Sequence, residues 1–174
     1  IIRSLLQYDT TVIRVPWDYP IHEELYDGLF ITNGPGDPAQ CDKTIVNLQQ
    51  AIQKDIPIFG ICLGSQLLAL AAGAQTYKLK YGHRSHNQPV QLCGTQQCYI
   101  TSQNHGYAVE PSTLPKEWKP MFINLNDKSC EGIYHVNKPF FATQFHPEAA
   151  GGPTDTSFLF DRFIRDIETF RQNG

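Results

Sequence analysis

Cys62, His146 and Glu148 are residue types that together can carry out acyl transfer. Cys62 lies in Gly60-Ile61-Cys62-Leu63-Gly64, between an apolar run (Ile56, Ile58, Phe59, Ile61) and a stretch rich in leucine and alanine. A nucleophile on a sharp strand-to-helix turn projects its reactive atom outward while the backbone bends hard. Glycines two residues to either side remove the Cβ atoms that would crowd that bend. The thiol then sits at a helix N-terminus, where partial positive charge favours thiolate. The N–H of Leu63 is free there to hold an oxyanion. A buried, inert cysteine is the competing reading of the Gly-x-Cys-x-Gly spacing taken alone.

His146-Pro147-Glu148 directly follows the apolar run 139–145. In extended backbone, residues i and i+2 project to the same side, so the Glu148 carboxylate can reach the His146 ring. A carboxylate on one ring nitrogen fixes the tautomer and leaves the other free for proton transfer. In isolation the plainer reading is a strand-end histidine beside a solvated glutamate. Pairing with Cys62 changes the balance, because parallel α/β sheets gather their active loops at the carboxyl ends of strands. Asn33-Gly34-Pro35-Gly36-Asp37-Pro38 also follows an apolar strand, and its glycines let a second backbone N–H approach a substrate closely. Gln103-Asn104-His105-Gly106-Tyr107 reads as a polar cluster at a strand end, with donors and acceptors for a polar amide or amino acid. His22, His83, His86 and His135 receive no role. His83 and His86 lack a carboxylate or cysteine at metal-ligand spacing and are expected on a solvated loop.

The elements that must position these groups follow from periodicity. Residues 1–8 read as helix and Thr11–Val15 as a β-branched strand. Gly28–Thr32 is a short apolar strand, and 40–54 a helix with Ile45, Leu48 and Ile52 at helical spacing. The 56–61 strand leads into the helix after Cys62, which Gly73 stops. Short strand-like runs follow at 75–80, 97–102, 121–126, 132–136 and 140–145, with 110–120 as a proline-rich surface connection. Residues 155–170 form an amphipathic helix. The order predicts one α/β domain, an open, mostly parallel sheet with flanking helices and added antiparallel strands.

Composition narrows the function class. The 174 residues suffice for one domain with a proper core. A net charge of −3, with 18% charged residues, gives no basic field for nucleic acid. No apolar run nears the roughly 20 residues of a membrane span. Cys41, Cys62, Cys93, Cys98 and Cys130 are odd in number and contain no Cys-x-x-Cys, so neither a disulfide framework nor a zinc site is expected. A reducing, cytoplasmic setting is the default. Ile1–Leu6 reads as the body of a helix, as in a fragment of a longer chain.

Taken together, these stretches resemble the class I (triad-type) glutamine amidotransferases, of flavodoxin-like fold. More narrowly, the chain resembles the glutaminase domain of glutamine-dependent carbamoyl-phosphate synthase. The narrower likeness rests on Thr32–Pro38, His86–Pro89, Ser102–Val109, Asn126-Asp127, Glu131–Ile133 and Gln144–Glu148. It implies Cys62 as nucleophile, His146 as general base and acid, and Glu148 as its orienter. It implies an oxyanion hole from the backbone of Gly36 and Leu63. It implies that glutamine is held by Gly34, Gly36, Leu63, Gln66, Asn104, Gly106 and Tyr107. It implies that the ammonia released passes to a carbamoyl-phosphate synthetase partner, in pyrimidine or arginine biosynthesis. The resemblance implies no cofactor or metal in this domain, with ATP, Mg and bicarbonate belonging to the partner. The pattern departs from the family at Ser65, where a histidine is frequent, and at Ser85, where glycine is usual. The family's first strand and preceding small domain are absent from residues 1–174. A catalytically silent docking domain, the glutaminase subunit of another amidotransferase, and a cysteine hydrolase with the same elbow are the alternatives.

Overall fold

The structure is a computed structural model and describes residues 1–173. Its elements are helix α1 (Ile2–Leu5), strand β1 (Leu29–Ile31), helix α2 (Asp42–Ala51), strand β2 (Ile58–Ile61) and helix α3 (Leu63–Ala71). There follow strands β3 (Gln75–Leu92), β4 (Cys98–Glu110), β5 (Trp118–Asn124), β6 (Cys130–His135) and β7 (Phe140–Thr143), then helix α4 (Phe158–Asn173). The strands form one sheet in the order β1-β2-β7-β6-β4-β3-β5.

Three strands make the parallel part. Leu29 lies opposite Ile58, and Ile58 opposite Phe140, with all pairs in these two ladders parallel. β2 and β7 are buried at every residue, as strands covered on both faces must be. Their side chains alternate between two cores. Ile58, Phe140 and Ala142 pack with Leu48, Leu67 and Leu68 of α2 and α3. Phe59, Ile61 and Phe141 pack with Leu5, Leu159, Phe160 and Phe163 of α1 and α4. Each fully buried side chain of this size contributes about 1.5–3 kcal/mol relative to exposure.

The antiparallel part is the larger one, so the expected mostly parallel sheet is corrected: only β1, β2 and β7 run parallel. The short connections from β3 to β4, β5 to β6 and β6 to β7 can join only antiparallel neighbours. β6 pairs with β7, β4 with β6, and β3 with β4 and β5. β5 also pairs with β6, so β6, β4, β3 and β5 close into a ring.

Four further expectations need correction. Thr11–Val15 forms no strand; it has no regular secondary structure and leaves Ile13 exposed. β-Branched composition favours extension, but a strand also needs a ladder partner. The 75–80 run is the start of an 18-residue strand that carries 81–92 within it. Two register shifts, between Lys78 and His83 and between Ser85 and Gln88, let glycine, serine and proline into the ladder. In the second, the Gln88 amide donates to the Ser85 hydroxyl at 2.9 Å, so Ser85 adds a partner to the bulge. The Gln103–Tyr107 cluster lies inside β4, not at a strand end. The 110–120 connection holds a short 3-10 turn at Pro111–Thr113, and β5 already starts at the buried Trp118.

Candidate active site

The elbow forms at the carboxyl end of β2. Cys62 caps α3 with φ 55 and ψ −106, a strained conformation for a residue with a Cβ. Close backbone packing demands both flanking glycines. A Cβ on Gly64 would lie 2.2 Å from the Ile31 carbonyl oxygen, and one on Gly60 would lie 2.7 Å from the Gly64 carbonyl oxygen. The Cys62 N–H donates to the Thr143 carbonyl at 2.8 Å, tying the turn to the end of β7. Ser65, the departure in α3, is buried behind the turn.

His146 follows β7, and its backbone N–H donates to the Ser102 carbonyl of β4 at 2.9 Å. Its Nδ1 lies 3.0 Å from Glu148 Oε1, and both side chains are only 16% exposed. Burial works against a charged His146 ring, but the Cys62 sulfur and the Glu148 carboxylate outweigh it and push the pKa up to about 9. The imidazole is thus held between thiol and carboxylate, the arrangement that activates a nucleophile.

Gly36 and Leu63, the two candidate N–H donors, line one cavity. Leu63 opens α3, where the first N–H groups have no partner within the helix. Gly36 adopts φ +97 in the loop after β1. The Tyr107 hydroxyl donates to Asp37 Oδ2 at 3.2 Å and ties that loop to β4.

A cavity of about 390 Å³ collects the groups singled out in the sequence. Gly34, Gly36, Cys62, Leu63, Gln66, Asn104, Gly106, Tyr107 and His146 all line it. Glu148 does not; it stands behind His146 and lines a second cavity between α1 and α4. Gln66 is buried and its amide donates to the Tyr107 carbonyl and to Gln144 Oε1, each at 2.9 Å, so it also props β4. The sequence reading missed Arg84, which lines the cavity, together with the props Asp37 and Gln144. Arg84 pairs with Asn104 across β3 and β4, and no local signal near Arg84 indicates that pairing.

The solvated-loop reading of His83 is also overturned. His83 stands inside the strand ring, with Nε2 2.9 Å from Asp127 Oδ2 and Nδ1 3.1 Å from Glu131 Oε1. The hydrogen bond to Glu131 outweighs burial and, with Asp127, pushes the His83 pKa up to about 9. His105 is 6% exposed, and burial holds its pKa below the ordinary histidine value. One nitrogen or carboxylate oxygen from each of His83, His105 and Glu131 lies within 4.8 Å of the others, a grouping that could suit a metal. Gln103 Oε1 fills the space between the rings, 2.8 Å from His83 Nδ1 and 2.9 Å from His105 Nε2. Hydrogen bonds thus already use the atoms that would ligate.

Comparison with known proteins agrees with this geometry. The family model for glutamine amidotransferase class-I matches residues 1–166. The carbamoyl phosphate synthase arginine-specific small chain of Neurospora crassa is 56% identical over 177 residues, covering 100% of this chain and 39% of that protein. Those of Neosartorya fischeri and Yarrowia lipolytica are each 55% identical and cover 98% of this chain. This chain spans only 38% and 40% of their respective lengths. Among solved structures, a candidate GMP synthase subunit from Thermoplasma acidophilum superposes with a TM-score of 0.82 at 25% identity, over 98% of this chain and 88% of that one. A glutamine amidotransferase from Thermotoga maritima gives 0.59 at 21% identity, over 83% and 63% of the two chains. Fold, elbow and family match converge, and the chain belongs to the class I glutamine amidotransferase family.

Proposed function

We propose that this domain hydrolyses the side-chain amide of L-glutamine and delivers ammonia to a carbamoyl-phosphate synthetase partner. One observation carries the reading: the Cys62 sulfur, the His146 ring and two candidate N–H donors meet in one cavity. The Cys62 sulfur attacks the amide carbon of glutamine. The oxyanion that forms accepts hydrogen bonds from the Leu63 and Gly36 N–H groups, and each such donor is worth about 10²–10³ in rate at comparable sites. His146 hands a proton to the departing nitrogen, the C–N bond breaks, and ammonia leaves a glutamyl thioester on Cys62. Water then attacks the thioester as His146 takes its proton, releasing glutamate and the thiol. Glu148 keeps the imidazole oriented throughout. Gly34, Gln66, Asn104, Gly106 and Tyr107 hold the substrate.

The chemistry runs on thiol, imidazole and carboxylate, so ATP, Mg and bicarbonate are assigned to the partner. Relatives named as arginine-specific small chains support the arginine branch over the pyrimidine one. Residues 1–174 are read as the glutaminase unit of a longer protein whose other segments carry the first strand and the small domain. Five free cysteines support a reducing compartment such as the cytoplasm. Among the described residues, no helix is long and apolar enough to cross a membrane. A complete triad speaks against a silent docking domain.

The test uses the whole enzyme. Cys62→Ser is expected to abolish glutamate release and glutamine-dependent carbamoyl phosphate synthesis while leaving ammonia-dependent synthesis in place. Equal loss of both syntheses would refute the proposed division of labour.

A further inference from the structure

We infer that Arg84 is a specificity-determining residue: its guanidinium receives the α-carboxylate of the substrate and so selects a free amino acid over a capped one. The inference rests on the glutamine reading above and adds to it a residue that reading does not use.

The charge inventory of the cavity is the first argument. Among the described residues, Arg84 is the one arginine or lysine that lines it, and no aspartate or glutamate does. Two histidines line it as well. His146 is engaged by Cys62 and Glu148, while His105 has both ring nitrogens bonded, to the Tyr107 carbonyl and Gln103 Oε1, and burial holds its pKa below the ordinary value. Glutamine bound through its side chain carries an α-carboxylate at its far end. Taking that charge out of water without a counter-charge is costly.

Strand register supplies the second argument. Arg84 on β3 lies directly opposite Asn104 on β4, so the two side chains share a sheet face. Their neighbours His83 and His105, paired in the same way, turn to the other face and into the strand ring. The Asn104 carbonyl oxygen is 3.9 Å from Cys62 Sγ. Arg84 therefore starts one strand further from the nucleophile, at the usual spacing of about 4.8 Å. The far end of an amino acid whose amide sits at the thiol falls on that side.

Third, the guanidinium is pre-positioned and largely unspent. Arg84 Nη1 donates to the Tyr81 carbonyl at 2.7 Å, its one hydrogen bond among the described residues. Nη2 extends over Gly106, where a Cβ would sit 3.7 Å away. A guanidinium offers five N–H donors in a fixed fork, so several remain for a bidentate carboxylate. The competing role is structural: the bond to Tyr81 merely clips the bend at Gly82.

The decisive measurement is ligand affinity in the whole enzyme carrying Cys62→Ser, in which bound glutamine is not consumed. Two ligands are titrated, L-glutamine and its α-carboxamide derivative, with Arg84 present and with Arg84→Ala. Loss of a charge-assisted pair predicts glutamine weakened by ~10–100-fold. The α-carboxamide should bind weakly from the start and change less than about threefold. Arg84→Lys should recover part of the preference. With Cys62 intact, Arg84→Ala should raise KM for glutamine by the same factor and leave kcat nearly unchanged. An equal drop for both ligands, or unaltered glutamine affinity, would overturn the assignment and leave Arg84 as a clip. Failure of glutamine to bind the Arg84-containing protein would instead remove the glutamine reading itself.

Discussion

At the scale of single residues, the proposed mechanism requires a proton on His146 at neutral pH. Its pKa of about 9 reflects burial, which opposes the charge, outweighed by the Cys62 sulfur and the Glu148 carboxylate. Below that value the ring is protonated, as the proposed donation to the leaving nitrogen requires. Glu148→Gln removes one of the groups that raise the pKa. The alkaline loss of kcat should therefore move to lower pH, with the maximum rate reduced by about 10²–10⁴-fold. A pH–rate profile of glutamate release checks this; an unmoved alkaline limb would remove Glu148 from the role of orienter. Gln66 shows how one residue can serve two ends. It lines the cavity, yet its amide donors are spent on the Tyr107 carbonyl and Gln144. It forms part of the cavity wall and also holds β4 in place behind that wall.

At the scale of elements, the strand-to-helix turn has little room for change. Gly64→Ala would drive a methyl group to within 2.2 Å of the Ile31 carbonyl, so β1, the turn or α3 must move. Overpacking of this kind costs about 1–3 kcal/mol. The displaced Leu63 N–H should also lower kcat by about 10²-fold or more. Denaturant unfolding together with kcat tests both, and a fully active, fully stable Gly64→Ala would contradict the close packing. The elbow was legible in the sequence because its constraints are local: glycine, nucleophile and apolar run lie within a few residues. β3 was not. Gly82–Pro89 has poor strand propensity, and only pairing with β4, with two register shifts to absorb the misfits, makes it a strand.

At the scale of the whole molecule, the strand ring encloses a buried polar network rather than an apolar core. Glu131 and Asn124 are fully buried and hydrogen-bond to each other at 3.0 Å, and His83 closes the network against Glu131 and Asp127. The hydrogen bond to Glu131 raises the His83 pKa against the opposing effect of burial, and Asp127 adds to it, to about 9. The folded pKa exceeds the unfolded value of about 6.5, so the folded state binds the extra proton. The stabilisation is thus complete below about pH 6.5 and is lost as pH rises through about 9. Unfolding free energy should fall over that window, and His83→Gln should flatten the fall. An identical pH slope in the variant would show that the network contributes no proton-linked stability.

The sequence by itself determined the elbow, the His146–Glu148 relation, the amphipathic α4 and the α/β class, because each rests on spacing within one turn or one strand. Tertiary structure alone decided which distant strands would pair. It left Thr11–Val15 without a ladder, moved Gln103–Tyr107 into the middle of β4, and set Arg84 opposite Asn104 at the cavity. It also drew His83, His105 and Glu131 into one network from three strands. Hydrogen-bond partners in a sheet lie far apart along the chain, so composition around one partner does not name the other.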